Sequence, residues 1–480
     1  MDFYLVLGIV TLVIFFIGWK IWNRTKNIGF IIGLFFIYYW TLLGSWFLIY
    51  DSLTGKGEEI GLHYHYLFIK MFPVDLDKYY MLSIIYYSLF IISLELIILY
   101  FLPKKKNEII YTKDRIHINL ASLMIISIIC ILLSSLIIYR EIIYGLDKNL
   151  SIYYVSRNAD NPFFTLHQML NQMAIVSLLI GFVCTLDPQN NKLVFARPSR
   201  FQFALYLPLL ILVEIYFIFL GNKSNLLFAG IFCFLFYLIN KNYTFNLRHI
   251  LFLFLILGIP LIITDTLRNH SIFSLFDGIP GGRDHELPSA ISNPDSDITV
   301  INIMQSFLFS NELFSGHFSM YGVLMFDIPY TYGSSIISFL SSIIPKIFWA
   351  DRPASIYEYY ANSVNAIPGQ GYTINHATAW YLNFGVLGIV VGAIILGIIW
   401  VKVYKLLHSP DVNFIKSKLF RLVVFVAFPS ITGQIPKLIR TGPEGYKGVI
   451  LDGIIIPVII LYVASEFYKV KQLSAKADEK

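Results

Sequence analysis

The sequence predicts an all-α, polytopic membrane protein, and three observations carry that prediction. Of the 480 residues, 57% are hydrophobic and only 14% are charged. The apolar residues come in runs of roughly 17 to 24, long enough to cross a hydrocarbon core of about 30 Å as helix. The basic residues gather in the connections between those runs.

Run length gives about eleven spans. In order they are Phe3 to Trp19, Ile28 to Tyr50, Tyr79 to Leu102, Ile118 to Tyr139, Leu166 to Leu186 and Phe201 to Leu220. Then come Asn225 to Ile239, Ile250 to Thr264, Tyr381 to Val401, the short Leu422 to Ile431 with its flanks, and Val449 to Ser465. The first run begins after Asp2, with no basic n-region and no small-residue cleavage site, so it reads as a retained helix and not a signal peptide.

Cytoplasmic loops keep Lys and Arg, which sets the orientation. Placing Lys20 to Lys26, the loop of Lys104-Lys105-Lys106 through Arg115, Lys192 to Arg200, Lys241 to Arg248, Lys402 to Arg421 and the C-terminal tail inside collects about 22 of the 36 basic residues. The N terminus is then outside and the C terminus cytoplasmic. The net charge of +6 resides largely in those loops, where it serves orientation and contact with anionic lipid, so no nucleic-acid partner is expected.

Cys130, Cys184 and Cys233 all fall within spans and read as small buried hydrophobes, not as disulfides or metal ligands. No fixed-period repeat is visible, so residues 1–480 read as a single membrane domain whose one large extracytoplasmic loop is 265–380. Gly, Pro, Asn and Asp crowd Asp277 to Asp297, as solvated irregular backbone does. Two apolar stretches in that loop, Ile301 to Phe326 and Gly333 to Ala350, read as helices lying on or dipping into the outer face. If only one of them crossed, every later basic loop would face the wrong way.

Basic residues on the outer face need a reason. Lys223 sits in the tight turn Gly221-Asn222-Lys223-Ser224-Asn225, where small neighbours let an anion approach backbone N–H groups. A lysine reaching headgroups satisfies the same pattern. Arg268, Arg352, Lys437 and Arg440 also fall outside, either as phosphate ligands or as partners of Asp265, Asp351 and Glu444. Asp75-Leu76-Asp77 and Asp295-Ser296-Asp297 match a diphosphate-metal pattern that also arises by chance in turns. His63 and His65 alternate without an obvious third ligand. Glu95 and Glu214 lie inside spans, where an ionisable group marks either a functional site or a pair with a neighbouring helix.

The run from Asn311 to Val401 resembles the oligosaccharide repeat-unit polymerases, the Wzy-type O-antigen polymerase family. The resemblance is carried by Asn311-Glu312-Leu313-Phe314, Pro329-Tyr330, Tyr332-Gly333, Ile344-Pro345-Lys346, Trp349 and Arg352-Pro353. After Pro368-Gly369-Gln370-Gly371-Tyr372 it continues in Tyr381-Leu382-Asn383-Phe384-Gly385-Val386-Leu387-Gly388. The Lys223 turn resembles a Ser-Arg-Gly-like turn of these polymerases and the related ligases; its Lys keeps the charge and loses the bidentate fork. His376 is similar to a ligase histidine ahead of a Gly-x-x-Gly helix start, whereas the paired Arg-x10-Gly motifs of some members are absent as such.

The resemblance implies a GT-C-like glycosyltransferase of the bacterial inner membrane that joins undecaprenyl-pyrophosphate-linked repeat units into O-antigen or a capsule-like polysaccharide. An acceptor hydroxyl would attack the anomeric carbon and expel the lipid pyrophosphate with inversion. The resemblance implies no cofactor and no metal, and a chain-length regulator protein as partner. On this reading His376 or Glu312 takes the acceptor proton, and Lys223, Arg268, Arg352 and Arg440 hold the diphosphate. Tyr330, Tyr332, Trp349 and Tyr372 would stack on sugars. Two alternatives stay open: a lipid-linked oligosaccharide flippase, and a glycosyltransferase using polyprenyl-phosphate sugars with Asp75 and Asp77 on a metal.

Overall fold

A computed structural model describes residues 3–55, 76–103, 116–148, 163–185, 193–195, 200–220, 223–240, 311–342, 353–364, 373–408 and 417–466, with Ile152, Val155, Asn161 and Trp349. In chain order its helices are α1 (Phe3–Thr25), α2 (Ile28–Thr54), α3 (Lys78–Phe101), α4 (Leu120–Ile137), α5 (Tyr139–Asp147), α6 (Phe164–Thr185) and α7 (Arg200–Phe219). They continue as α8 (Lys223–Asn240), α9 (Asn311–Met325), α10 (Ser334–Ser342), α11 (Ile356–Ser363), α12 (His376–Leu407), α13 (Lys418–Leu438) and α14 (Gly445–Glu466). The strands among the described residues are β1 (Ile116–Ile118) and β2 (Leu193–Phe195), paired in parallel with His117 opposite Val194.

Among the described residues seven helices, α1 to α4 and α12 to α14, are long and apolar enough to cross a membrane, which fits an all-α membrane protein. Of the other expected spans, three coincide with α6, α7 and α8. Ile250 to Thr264 lies outside the described residues. The exposed faces are as apolar as the buried ones. On α1, Leu7, Ile14, Ile17 and Ile21 are buried, while Leu5, Leu12, Phe15 and Phe16 stand exposed, as lipid-facing side chains do.

Local polar residues fix where the helices begin. Asn27, Asp77 and Asn119 accept hydrogen bonds from the first-turn amides of α2, α3 and α4. Ser355 and Glu358 form a reciprocal capping box on α11. Asp77, half of one acidic pair, is thus spent on the Tyr80 amide at 2.9 Å.

The chain forms two compact units: Met1–Glu108, Asp295–Leu406 and Gln434–Ile450, and Ile109–Pro294, Leu407–Gly433 and Leu451–Lys480. In the second, α4 packs along α6, and Ser134 joins His167, Asn171 and Tyr216 in a polar cluster. There Lys418 pairs with Glu466, tying the start of α13 to the end of α14. Cys130 and Cys233 are buried free thiols.

In the first unit α1 and α3 run parallel, since Phe3 meets Tyr80 near their starts and Arg24 donates to the Leu99 carbonyl near their ends. α2 returns between those levels, with Phe30 against Trp400 of α12 and Ser45 against Tyr80 of α3. α9 differs from the surface helix expected over Ile301 to Phe326. From Gly316 to Val323 it is buried throughout, because His317 and Ser319 find polar partners on α2, α3 and α12.

Candidate functional site

The site is built on two departures from regular helix in the first unit. In α2, residues Tyr39–Leu43 form a π-helical turn. Such a turn shifts the hydrogen-bond ladder by one residue and turns carbonyls outward. Two of them are taken from outside the helix: the Trp40 oxygen accepts from Asn375 Nδ2 at 3.0 Å, and the Thr41 oxygen from His317 Nδ1 at 2.7 Å.

A carbonyl only accepts, so Nδ1 of His317 carries the proton and Nε2 is the acceptor. The Tyr80 hydroxyl donates to that Nε2 at 2.6 Å, and Ser45 Oγ lies 3.1 Å from the same hydroxyl. Burial pushes the His317 pKa down to about 4, the bond to Thr41 opposing only part of that shift. The ring rests on Gly44, where any Cβ would stand about 3.0 Å from it.

A second polar layer adjoins this one. Tyr87 Oη lies 2.8 Å from the His317 carbonyl and 3.2 Å from Thr378 Oγ1, while Ser319 Oγ accepts from the Asn375 amide at 3.0 Å. These residues lock α3, α9 and the start of α12 together.

The second departure lies within α12. Phe384 (φ −144°, ψ 22°) and Gly385 (φ 63°, ψ −148°) leave helical geometry, and the chain reverses there. The contacts on either side record the reversal. His376 lies beside Phe90, Thr378 beside Tyr87 and Tyr381 beside Tyr86, so this short arm runs against the direction of α3. Beyond the break, Gly397 packs on Leu94 and Ile97, so the long arm runs with α3. Glycines permit the fold: Gly385 supplies the positive φ, and a Cβ at Gly388 would collide with the Trp380 carbonyl.

His376 begins the short arm and is fully buried. Its Nδ1 donates to the Thr441 carbonyl at 2.8 Å, and its Nε2 accepts from Trp380 Nε1 at 3.0 Å. Both ring nitrogens are therefore committed, and the ring fastens the short arm to the segment between α13 and α14. On that segment, Arg440 holds its guanidinium carbon 5.9 Å from the centre of the Trp40 ring. Glu444 accepts from the Ile356 amide at 2.9 Å, which anchors α11.

At the opposite end of the short arm an aromatic group surrounds the break. Tyr86 stacks on Tyr381 at 5.3 Å, Tyr330 meets Tyr381 edge-on at 5.7 Å, and Tyr332 meets Tyr330 at 6.3 Å. Thr331 pins the group, its amide donating to the Leu382 carbonyl at 2.7 Å. Tyr332 is 81% exposed and Phe384 44%, so the group presents open ring faces.

The candidate residues read from sequence distribute as follows. His376, Arg440, Tyr330 and Tyr332 belong to the first unit, and Glu312 stands in the first turn of α9 there, its side chain outside the described residues. Trp349 is also in that unit and 41% exposed. Lys223 opens α8 in the second unit, its side chain likewise outside. Arg268, Arg352 and Tyr372 lie outside the described residues, as do His63, His65, Asp75, Asp295 and Asp297. Sequence reasoning missed Trp40, Tyr80, His317 and Asn375, which meet only through the π turn, and Tyr86, Tyr381 and Phe384, which lie in apolar runs. The spaced glycines at 385, 388 and 392 after Trp380 were the available signal for the reversal.

No family model, curated protein or solved structure matches this chain.

Proposed function

We propose that this protein is a polyprenyl-dependent glycan polymerase of the bacterial inner membrane, acting at its outer face on undecaprenyl-pyrophosphate-linked repeat units. The observation that carries the reading is the pairing of Arg440 with Trp40 at one end of the short arm of α12 and an open aromatic group at the other. The arm, His376–Asn383, is about 12 Å long at helical rise. A lipid-linked oligosaccharide spans that distance with its diphosphate at the cation and its sugars on the rings.

In the proposed reaction an acceptor hydroxyl oxygen bonds to the anomeric carbon of the donor glycan. The bond from that carbon to the diphosphate breaks, its electron pair leaving with the diphosphate oxygen, and the configuration inverts. The cation stabilises the charge growing on the leaving group, for which a planar guanidinium suits phosphate geometry. Glu312 is assigned as the base that takes the acceptor proton, because the nitrogens of His376 are both spent on Thr441 and Trp380. His376 is then a positioning residue. Arg352 joins Arg440 as a proposed cation of the first unit, and Trp349 and Tyr372 are its proposed sugar contacts. A chain-length regulator is the proposed protein partner.

Deleting the gene in its native host and running the surface polysaccharide on a gel tests the reading. Loss of the ladder with one repeat unit still attached is the expected result. Loss of every repeat, with lipid-linked units trapped inside, would make the protein a flippase, and loss of activity in chelator would favour a metal-dependent glycosyltransferase. An unchanged ladder would remove this polysaccharide from consideration.

A further inference from the structure

Trp40 is 6% exposed and firmly held. Its carbonyl is taken by Asn375, and its ring stacks on Phe36 at 5.6 Å and meets Tyr39 edge-on at 5.1 Å. Yet its indole Nε1–H is buried with no acceptor in hydrogen-bonding reach among the described residues. A buried donor left unmade costs about 1–3 kcal/mol, and folded proteins leave few of them.

The surroundings indicate what would accept that bond. The carbon next to Nε1, Cδ1, faces Gly316 of α9, where an added Cβ would be in ordinary contact with it at 3.7 Å and with Thr373 Oγ1 at 3.5 Å. The Arg440 guanidinium over the same indole supplies positive charge, which selects a negatively charged oxygen over a neutral hydroxyl.

We infer that the Trp40 indole N–H is a ligand-binding donor for a phosphate oxygen, completing with Arg440 an oxyanion site beside the first turns of α9. The oxygen belongs to a lipid-linked diphosphate or to an anionic lipid headgroup. The choice of the diphosphate rests on the polymerase reading above, whereas the oxyanion site does not.

The test uses the full chain in phosphatidylcholine nanodiscs, titrated with farnesyl diphosphate by calorimetry. Wild type is expected to bind. Trp40→Phe keeps a ring under Arg440 and loses the N–H with the rest of the pyrrole ring, so its affinity should fall tenfold or more, and its ligand-free melting temperature should fall as well because buried volume is lost. Arg440→Gln, which leaves Trp40 intact, should weaken binding as well. Phosphatidylglycerol in the disc that displaces the diphosphate from wild type would identify a headgroup as the occupant of the same site.

A Trp40→Phe variant that binds as wild type does, or a wild type that binds neither anion, overturns the inference. The two readings fail separately. Binding that depends on Trp40 together with an unchanged polysaccharide in the deletion strain removes the polymerase and keeps the site. A lost ladder with unaltered binding by Trp40→Phe removes the site and keeps the polymerase.

Discussion

The indole ring of Trp380 packs against Gly392, twelve residues further along the chain, where an added Cβ would overlap it. Along an unbroken helix those residues would be about 18 Å apart. The contact therefore records the reversal at Phe384 and Gly385, and with it the placement of His376 among the helices of the first unit. Gly388 makes the tighter demand, because its neighbour is the Trp380 carbonyl, backbone that cannot swing aside as a side chain can.

Gly388→Ala should accordingly cost about 1–3 kcal/mol or more, and Gly385→Ala, forced into a φ and ψ that essentially only glycine adopts, about 1–3 kcal/mol. Gly8→Ala is the control, because nothing lies within 4 Å of a Cβ there. Thermal unfolding in detergent should rank Gly388→Ala and Gly385→Ala well below wild type, with Gly8→Ala level with it. Equal melting temperatures for all three would mean the short arm is not folded back.

The spans were legible because burying apolar side chains and satisfying every backbone group inside the helix are both written in run length. The reversal was not, because hydropathy records how apolar a segment is and not which way it runs. Tyr381 to Asn383 therefore read as the start of a span when they end an arm that precedes one. His317 and Asn375 were hidden for another reason. Their partners are the carbonyls of Thr41 and Trp40, and a backbone acceptor exposed by a π turn has no side-chain signature.

His317 gives the fold a dependence on pH. Its folded pKa, about 4, lies below the ordinary 6.5, so the unfolded chain binds the proton more tightly. Stability therefore rises with pH through that interval: it is fully present above about 6.5 and is lost as pH falls toward about 4. The loss from this one group is at most on the order of 3 kcal/mol. Melting temperatures of wild type and His317→Gln, compared from pH 7 to pH 4, should converge as pH falls. A constant gap between them would separate the ring from any titration in this range.

The aromatic group yields a prediction that separates binding from folding. Tyr332 is 81% exposed, so Tyr332→Ala removes little buried area and should change stability by no more than about 0.5 kcal/mol. If the rings carry sugars, the polysaccharide ladder of Tyr332→Ala should shorten at unchanged protein level, and the double variant with Phe384→Ala should shorten it further. A wild-type ladder from the double variant would assign the open ring faces to lipid.

Glu312 and His376 divide the roles of base and support, and two conservative variants read the division. Glu312→Gln removes the carboxylate and keeps the shape, so the ladder should vanish at unchanged protein level. His376→Gln disturbs bonds to Thr441 and Trp380 in a buried setting and should lower stability by about 1–3 kcal/mol. Trp380→Phe removes the N–H that fills His376 Nε2 and should fall in the same range, leaving the imidazole present. If His376 only positions the short arm, residual polymer should follow stability across His376→Gln and Trp380→Phe, recovering in both at lower temperature. Complete loss in His376→Gln at every temperature, with full activity in Glu312→Gln, would transfer the base to the histidine and require the Trp380 bond to open during turnover.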